Sequence, residues 1–146
     1  MTPDPVPPPA INQPTKKKLL LVEDDRVIQR ALRDLLRDSG YEVLHAYDGS
    51  EGVSKARSTH PDLIVLDLGL PATYPFAGGA FDGFEVMRWL GRLTTEDTRI
   101  PIIILTARQD AQSRQTAMSL GASAYLTKPF KPDELIKAIR IILDDI

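Results

Sequence analysis

The sequence has no cysteine, no long apolar run and no marked excess of either charge. Without cysteine there are no disulfides, no thiolate-bound zinc and no thiol nucleophile, which fits a reducing compartment. The longest apolar stretch, Ile100 to Leu105, is far shorter than the roughly 20 residues of a membrane-spanning helix, so no membrane insertion is expected. The N-terminus lacks the basic-then-apolar order of a secretory signal, and a cytoplasmic location is expected. A formal net charge of -2 gives no bulk attraction to a polyanion, so direct nucleic-acid binding is not expected. No glycine-rich P-loop is present either. There is no internal repeat and no sign of a second domain, so output or catalytic modules are expected on separate chains.

What is present is one domain's worth of ordinary globular sequence: 146 residues, 42% hydrophobic and 26% charged, enough to bury a core. Residues 1–15 contain Pro3, Pro5, Pro7, Pro8, Pro9 and Pro14. Such a segment cannot build helix or sheet ladders. It reads as a disordered leader, or alternatively as a ligand for a proline-recognising module. Residues 16–146 form the expected domain.

Within that domain strand-like and helical segments alternate. Strands are expected at 18–23, 42–46, 63–67, 101–106 and 124–127. A helix is expected over 26–39, with Val27, Ile28, Ala31, Leu32, Leu35 and Leu36 as its apolar stripe and Gly40 as its stop. Asp48 and Glu51 suit the start of a helix over 48–59. Further helices are expected over 83–93, over 110–120 (Ala111, Ala117, Met118 and Leu120 inward) and over 132–143, with Pro132 in the first turn of the last. Five strands alternating with five helices imply an α/β fold with a doubly wound parallel sheet. Taking the flavodoxin-like strand order 2-1-3-4-5, the segments 63–67 and 102–106 are central strands, which accounts for their almost wholly apolar character.

Four strand ends in this arrangement carry polar groups. They are GluAspAsp at 23–25, Asp67, Thr106 and Lys128. Ligands of open parallel sheets bind beyond the carboxyl ends of the strands, where strand order reverses. Strands one and three would be neighbours about 4.8 Å apart, bringing Glu23 and Asp24 beside Asp67. Carboxylates this close need a counter-charge or a raised pKa. A hard divalent cation such as Mg²⁺ supplies the former, with Asp24 and Asp67 as direct ligands, Glu23 acting through water and the Gly69 backbone carbonyl as a further donor. GluAspAsp also has a plainer reading, since acids after a strand cap the next helix, and Asp25 is placed to do so. Thr106 can donate to a phosphoryl oxygen or simply close a β-branched strand; the small Ala107 leaves room for a phosphate. Lys128 offers a point charge for phosphate, and Pro129 holds the backbone behind it, through a peptide bond that can be cis.

In order and together, these residues resemble the receiver domains of two-component response regulators over roughly 16–145. The resemblance rests on Glu23 and Asp24, Asp67, Pro71, AspGlyPheGluValMet at 82–87, Thr106 with its small neighbour, and GlyAlaSerAlaTyrLeuThrLysProPhe at 121–130. It implies that Asp67 is the phosphoacceptor for a sensor histidine kinase or histidine phosphotransfer protein, with Mg²⁺ as cofactor. It implies that Thr106 and Tyr125 form a switch, and that the face of helix four, strand five and helix five meets a downstream effector. A phosphoacceptor of this kind assists its own phosphorylation and dephosphorylation and is not a conventional enzyme.

The chain departs from the family pattern in places. About eight extra residues lie within 72–81, directly after Asp67, and read either as a tolerated surface insertion or as a partial lid. Ser123 and Ala124 replace an acidic pair common before Tyr125 in regulators with a winged-helix output domain. Gly69 and Arg108 each lie two residues past a site residue, where they border the route of an attacking water. Two other functions compete. A receiver-like module that never uses phosphate would not need the intact acid pair, Asp67, Thr106 and Lys128. A haloacid-dehalogenase-like phosphatase would need a second acid where Gly69 stands, and a flavodoxin would need a phosphate cradle where GluAspAsp stands. His45 and His60 lack metal or triad spacing.

Overall fold

The computed structural model describes residues 2–5, 15–70, 82–93 and 99–144. Among these residues five strands and five helices alternate: β1 (Lys18–Val22), α1 (Arg26–Asp38), β2 (Glu42–Ala46), α2 (Gly49–Thr59), β3 (Leu63–Leu66), α3 (Gly83–Leu93), β4 (Ile102–Thr106), α4 (Ala111–Ser119), β5 (Ala124–Thr127) and α5 (Pro132–Leu143). All pairings are parallel and the order is β2-β1-β3-β4-β5. Strand order therefore reverses between β1 and β3, as expected.

Side-chain alternation divides each central strand between two cores. Leu20, Val22, Ile64, Leu66, Ile102 and Ile104 pack with Ala56, Val86, Met87 and Ala117, beneath α2, α3 and α4. Leu19, Leu21, Leu63, Val65, Ile103 and Leu105 pack with Leu32, Leu36, Leu135, Ile136 and Ile139, beneath α1 and α5. Both faces are covered, so the apolar runs need no polar alternation. Gly40 and Gly121, just past α1 and α4, adopt φ of 101° and 103°, a conformation that favours glycine.

Two helical stripes need correction. Val27 is 80% exposed and Ala31 faces solvent, while Gln29 is buried. Ile28, Leu32 and Leu36 turn toward the sheet, and at 100° per residue this rotation carries Val27 and Ala31 outward. In α4 only Ala117 is buried; Ala111 and Met118 are exposed. The Asp48 carboxylate caps α2 through the Glu51 N–H at 2.8 Å. Glu51 reaches back to the Tyr47 N–H at 3.1 Å, one residue beyond the usual partner. The expected insertion within 72–81 and most of the proline-rich leader lie outside the described residues.

Candidate functional site

The three acids after β1 divide by position. Asp25 caps α1, its Oδ1 accepting the Val27 and Ile28 N–H groups at 2.9 and 3.0 Å. Asp24 is exposed, and Glu23 is 2% exposed. The Glu23 backbone is fixed from two sides. Its N–H donates to the Ala46 carbonyl at 3.1 Å. The Gln29 Nε2 donates to both the Glu23 and Ala46 carbonyls, each at 3.1 Å. Gln29 was not singled out from the sequence. Its signal was a polar residue on a helix flank where Ile28, Leu32 and Leu36 face the sheet.

Asp67 follows β3, its N–H donating to the Val22 carbonyl at 3.2 Å, which carries the β1–β3 ladder one residue past the strand. Its Oδ1 accepts the Gly69 N–H at 2.8 Å. Its Oδ2 lies 3.0 Å from the Lys128 Nζ. The same ammonium donates to Glu23 Oε1 at 2.7 Å, across 105 residues of sequence. Ligand atoms of Glu23, Asp24 and Asp67 all lie within 4.8 Å of one another.

Burial pushes the Glu23 carboxyl up to about 7; Lys128 opposes this and Asp67 adds to it. For Asp67 burial acts upward too, but the Gly69 N–H, the Glu23 carboxyl and Lys128 outweigh it and hold Asp67 below the usual carboxylate range. The Lys128 ammonium is desolvated, yet its two carboxylate partners raise its pKa. A buried and a half-buried acid share one cation here, so Glu23 holds a proton more readily while Asp67 stays ionised. Glu23 Oε2 is buried without a hydrogen-bond partner. That orphaned acceptor, the exposed Asp24 carboxylate and Asp67 make an all-oxygen donor set suited to a hard divalent cation.

Thr106 ends β4 and is 1% exposed. Its carbonyl accepts the Lys128 N–H at 2.8 Å, tying the β4 end to the lysine. Its Oγ1 accepts the Arg108 N–H at 3.3 Å. The neighbouring Ala107 is exposed. Tyr125 lies in β5 with its ring buried, and its hydroxyl donates to the Arg108 carbonyl at 2.8 Å. The Lys128–Pro129 peptide bond is cis. Gly83 is a further residue that the sequence placed in a motif without a role. A Cβ there would lie 2.6 Å from Leu68 Cα and 2.8 Å from the Asp67 carbonyl. Only glycine lets the start of α3 close this tightly on the backbone that follows Asp67.

Glu23, Asp24, Asp67 and Lys128 thus converge at the switch point of a doubly wound sheet, with Thr106 tied to the lysine by its backbone. Fold and site together define a flavodoxin-like domain whose pocket is built from acids and one lysine. The family model for the response regulator receiver domain matches residues 19–140, and the chain belongs to that family. Receiver domains are phosphoacceptor switches of two-component signalling rather than conventional enzymes, and each implies a phosphodonor and a downstream effector.

Among curated relatives, the alkaline phosphatase synthesis transcriptional regulatory protein PhoP of Bacillus subtilis is 39% identical over 127 residues, 87% of this chain and 48% of that protein. Response regulator MprA of Mycobacterium avium is 39% identical over 126 residues, 86% of this chain and 50% of that protein. The chain spans about half the length of these relatives. Among solved structures, the receiver domain of a sensor histidine kinase of Pseudomonas aeruginosa, with a magnesium ion coordinated in its active-site cleft, is 32% identical. It superposes with a TM-score of 0.75, covering 90% of this chain and 100% of that one. A CheY-like receiver domain protein of Methanospirillum hungatei is 27% identical with a TM-score of 0.75, covering 90% and 96%. No helix among the described residues is long and apolar enough to cross a membrane.

Proposed function

We propose that Asp67 accepts a phosphoryl group from a histidine kinase or phosphotransfer protein, and that the resulting charge reshapes the surface of α4, β5 and α5 for an effector protein. The observation that carries this is the pairing at Asp67. One carboxylate oxygen takes a backbone N–H, and the other faces Lys128 beside two further acids. An ionised, oriented carboxylate is the nucleophile such a transfer needs. Its oxygen bonds to phosphorus while the bond to the donor imidazole nitrogen breaks, and the departing imidazole takes up a proton.

Asp24 and Asp67 would hold Mg²⁺ directly, Glu23 through water, and the Gly69 carbonyl would complete the protein's share. When bound, the cation would neutralise charge on the phosphoryl oxygens. Lys128 would release its hold on Glu23 and Asp67 to follow the new negative charge. Ala107 leaves the approach open. Thr106 would rotate its hydroxyl toward the phosphoryl oxygens, giving up the Arg108 N–H. Because Tyr125 holds the Arg108 carbonyl, that exchange would reach β5 directly, and a small local change would bias a two-state surface. Pro129 would keep the Lys128 backbone in place throughout. The switch is expected to act through protein contact in the cytoplasm, with the proline-rich residues 1–15 outside the switching domain. The test is incubation with Mg²⁺ and a small phosphodonor, read by intact mass. One phosphoryl adduct is expected, absent in Asp67→Asn; an adduct that survives this substitution, or none on the unsubstituted protein, defeats the reading.

A further inference from the structure

Away from the acidic pocket, Arg26, Arg30, Arg33 and Arg37 recur along α1 at intervals of four, three and four. At 100° per residue they fall on one narrow flank. That flank borders β2, the edge strand. The Arg26 guanidinium lies 4.1 Å above the Tyr47 ring. Arg33 Nη1 is 3.1 Å from His45 Nδ1. Arg37 Nη2 donates to the Val43 carbonyl at 3.2 Å. On the other side of the strand, the Lys55 Nζ donates to the His45 carbonyl. Glu42 and Ala46 direct their backbone bonds to the β1 side, so Val43 and His45 point theirs over the open edge. Arg37 and Lys55 therefore cap the two outward carbonyls, and an added strand would find them taken.

Charge at this edge is left unmatched. Among the described residues, none of the four arginines forms an ion pair with a carboxylate. Arg33 Nε is buried without a hydrogen-bond partner. Burial first, and then Arg33 and Lys55, hold the His45 pKa below its ordinary value. The nearby acids do not answer this. Asp34 and Asp38 are exposed, and Asp34, four residues after Arg30, borders the solvent side of the stripe without forming an ion pair to it among the described residues. Glu42 shares the opposite face of the sheet with Leu44 and Ala46. Glu51 is occupied by Lys55 and the Tyr47 N–H.

We propose that this flank of α1, with the β2 edge beside it, docks an acidic helix of a protein partner whose carboxylates recur at the same four-three-four spacing. A helix fits because the arginine spacing is that of a heptad flank, where facing charges set partner and register. A strand does not fit, because the edge carbonyls are capped. Nucleic acid fits poorly, because Asp34 and Asp38 border a stripe only about 16 Å long. Arg26, Arg33 and Arg37 rest against Tyr47, His45 and Val43 and spend few of their five donors there, which leaves donors to spare for a bidentate carboxylate. The proposal rests on this charge arrangement alone and is independent of phosphoryl transfer.

The test uses the whole chain and a synthetic helical peptide with glutamates at four-three-four spacing. A peptide of the same composition in scrambled order, a short DNA duplex and anionic phospholipid vesicles are the competitors. The spaced peptide is expected to shift amide resonances of α1 and β2 and to release as salt rises. Arg30→Glu, at an exposed position, is expected to weaken it at least about threefold while leaving the fold intact. Equal binding of the scrambled peptide, stronger binding of the duplex or vesicles at this flank, indifference to Arg30→Glu, or no binding at all would each overturn the proposal.

Discussion

Replacing Glu23 with glutamine keeps the shape of a buried side chain and removes its charge. In the folded protein the Glu23 carboxyl sits at about 7 against an ordinary 4.5. A carboxyl whose folded pKa is raised binds more protons folded than unfolded between those two values. Stability contributed by this group is therefore highest at acid pH and falls as pH rises from about 4.5 to about 7. Above that window the cost levels off at about 3 kcal/mol, a tenfold change in proton affinity being worth about 1.4 kcal/mol. Glutamine is neutral at every pH and can still accept from Lys128, so Glu23→Gln is expected to stabilise the metal-free protein by up to about 3 kcal/mol at pH 8 and by little at pH 4. For a domain of this size each kcal/mol moves Tm by about 2–4 °C. Thermal melts in chelator at the two pH values read the difference directly. Added Mg²⁺ should narrow the gap at pH 8, because the cation offsets the repulsion that glutamine removes. A variant no more stable than the parent at pH 8, or equally stabilised at both pH values, would refute the electrostatic account of the pocket.

Two further outcomes follow from the geometry, and a third from the sequence. Asp25→Ala removes the α1 cap and is expected to cost about 1 kcal/mol in denaturant titrations. Its Mg²⁺ affinity should stay unchanged, since Asp25 caps the helix and is not one of the clustered carboxylates; a large loss of affinity would show otherwise. Gly83→Ala drives a methyl into the Leu68 and Asp67 backbone. It is expected to cost about 1–3 kcal/mol and to slow phosphorylation by moving Asp67, and wild-type stability and rate together would remove that role from the glycine. Deleting residues 73–80 is expected to shorten the lifetime of the Asp67 adduct, and an unchanged lifetime with unchanged kinase preference would leave the segment as a tolerated insertion.

Much of this architecture could be read from one sequence because the signals are local and repeated. Apolar runs such as LeuIleValLeu and IleIleIleLeu mark buried strands. Glycine and acid caps mark helix ends, and the strand order expected for such a pattern puts β1 beside β3. Glu23, Asp24, Asp67, Thr106 and Lys128 were legible for the same reason, each following a strand whose end the fold places at one edge.

Local sequence could not divide the labour among neighbours. Glu23, Asp24 and Asp25 are three adjacent acids, and only the contacts made by packed elements decide that one is buried against Lys128, one exposed and one a cap. Val27, expected inward, is exposed and Gln29 is buried because the rotation of α1 is set by the sheet beneath it. Gly83 was visible as a letter in a motif, but its necessity comes from how closely α3 approaches the chain after Asp67. The sequence by itself determined which elements form and at which edge the polar groups gather, since backbone periodicity and burial are properties of short segments. The tertiary structure alone decided which acid takes the proton, which arginine lacks a counter-charge and which glycine cannot be replaced, because each depends on distances between groups far apart along the chain.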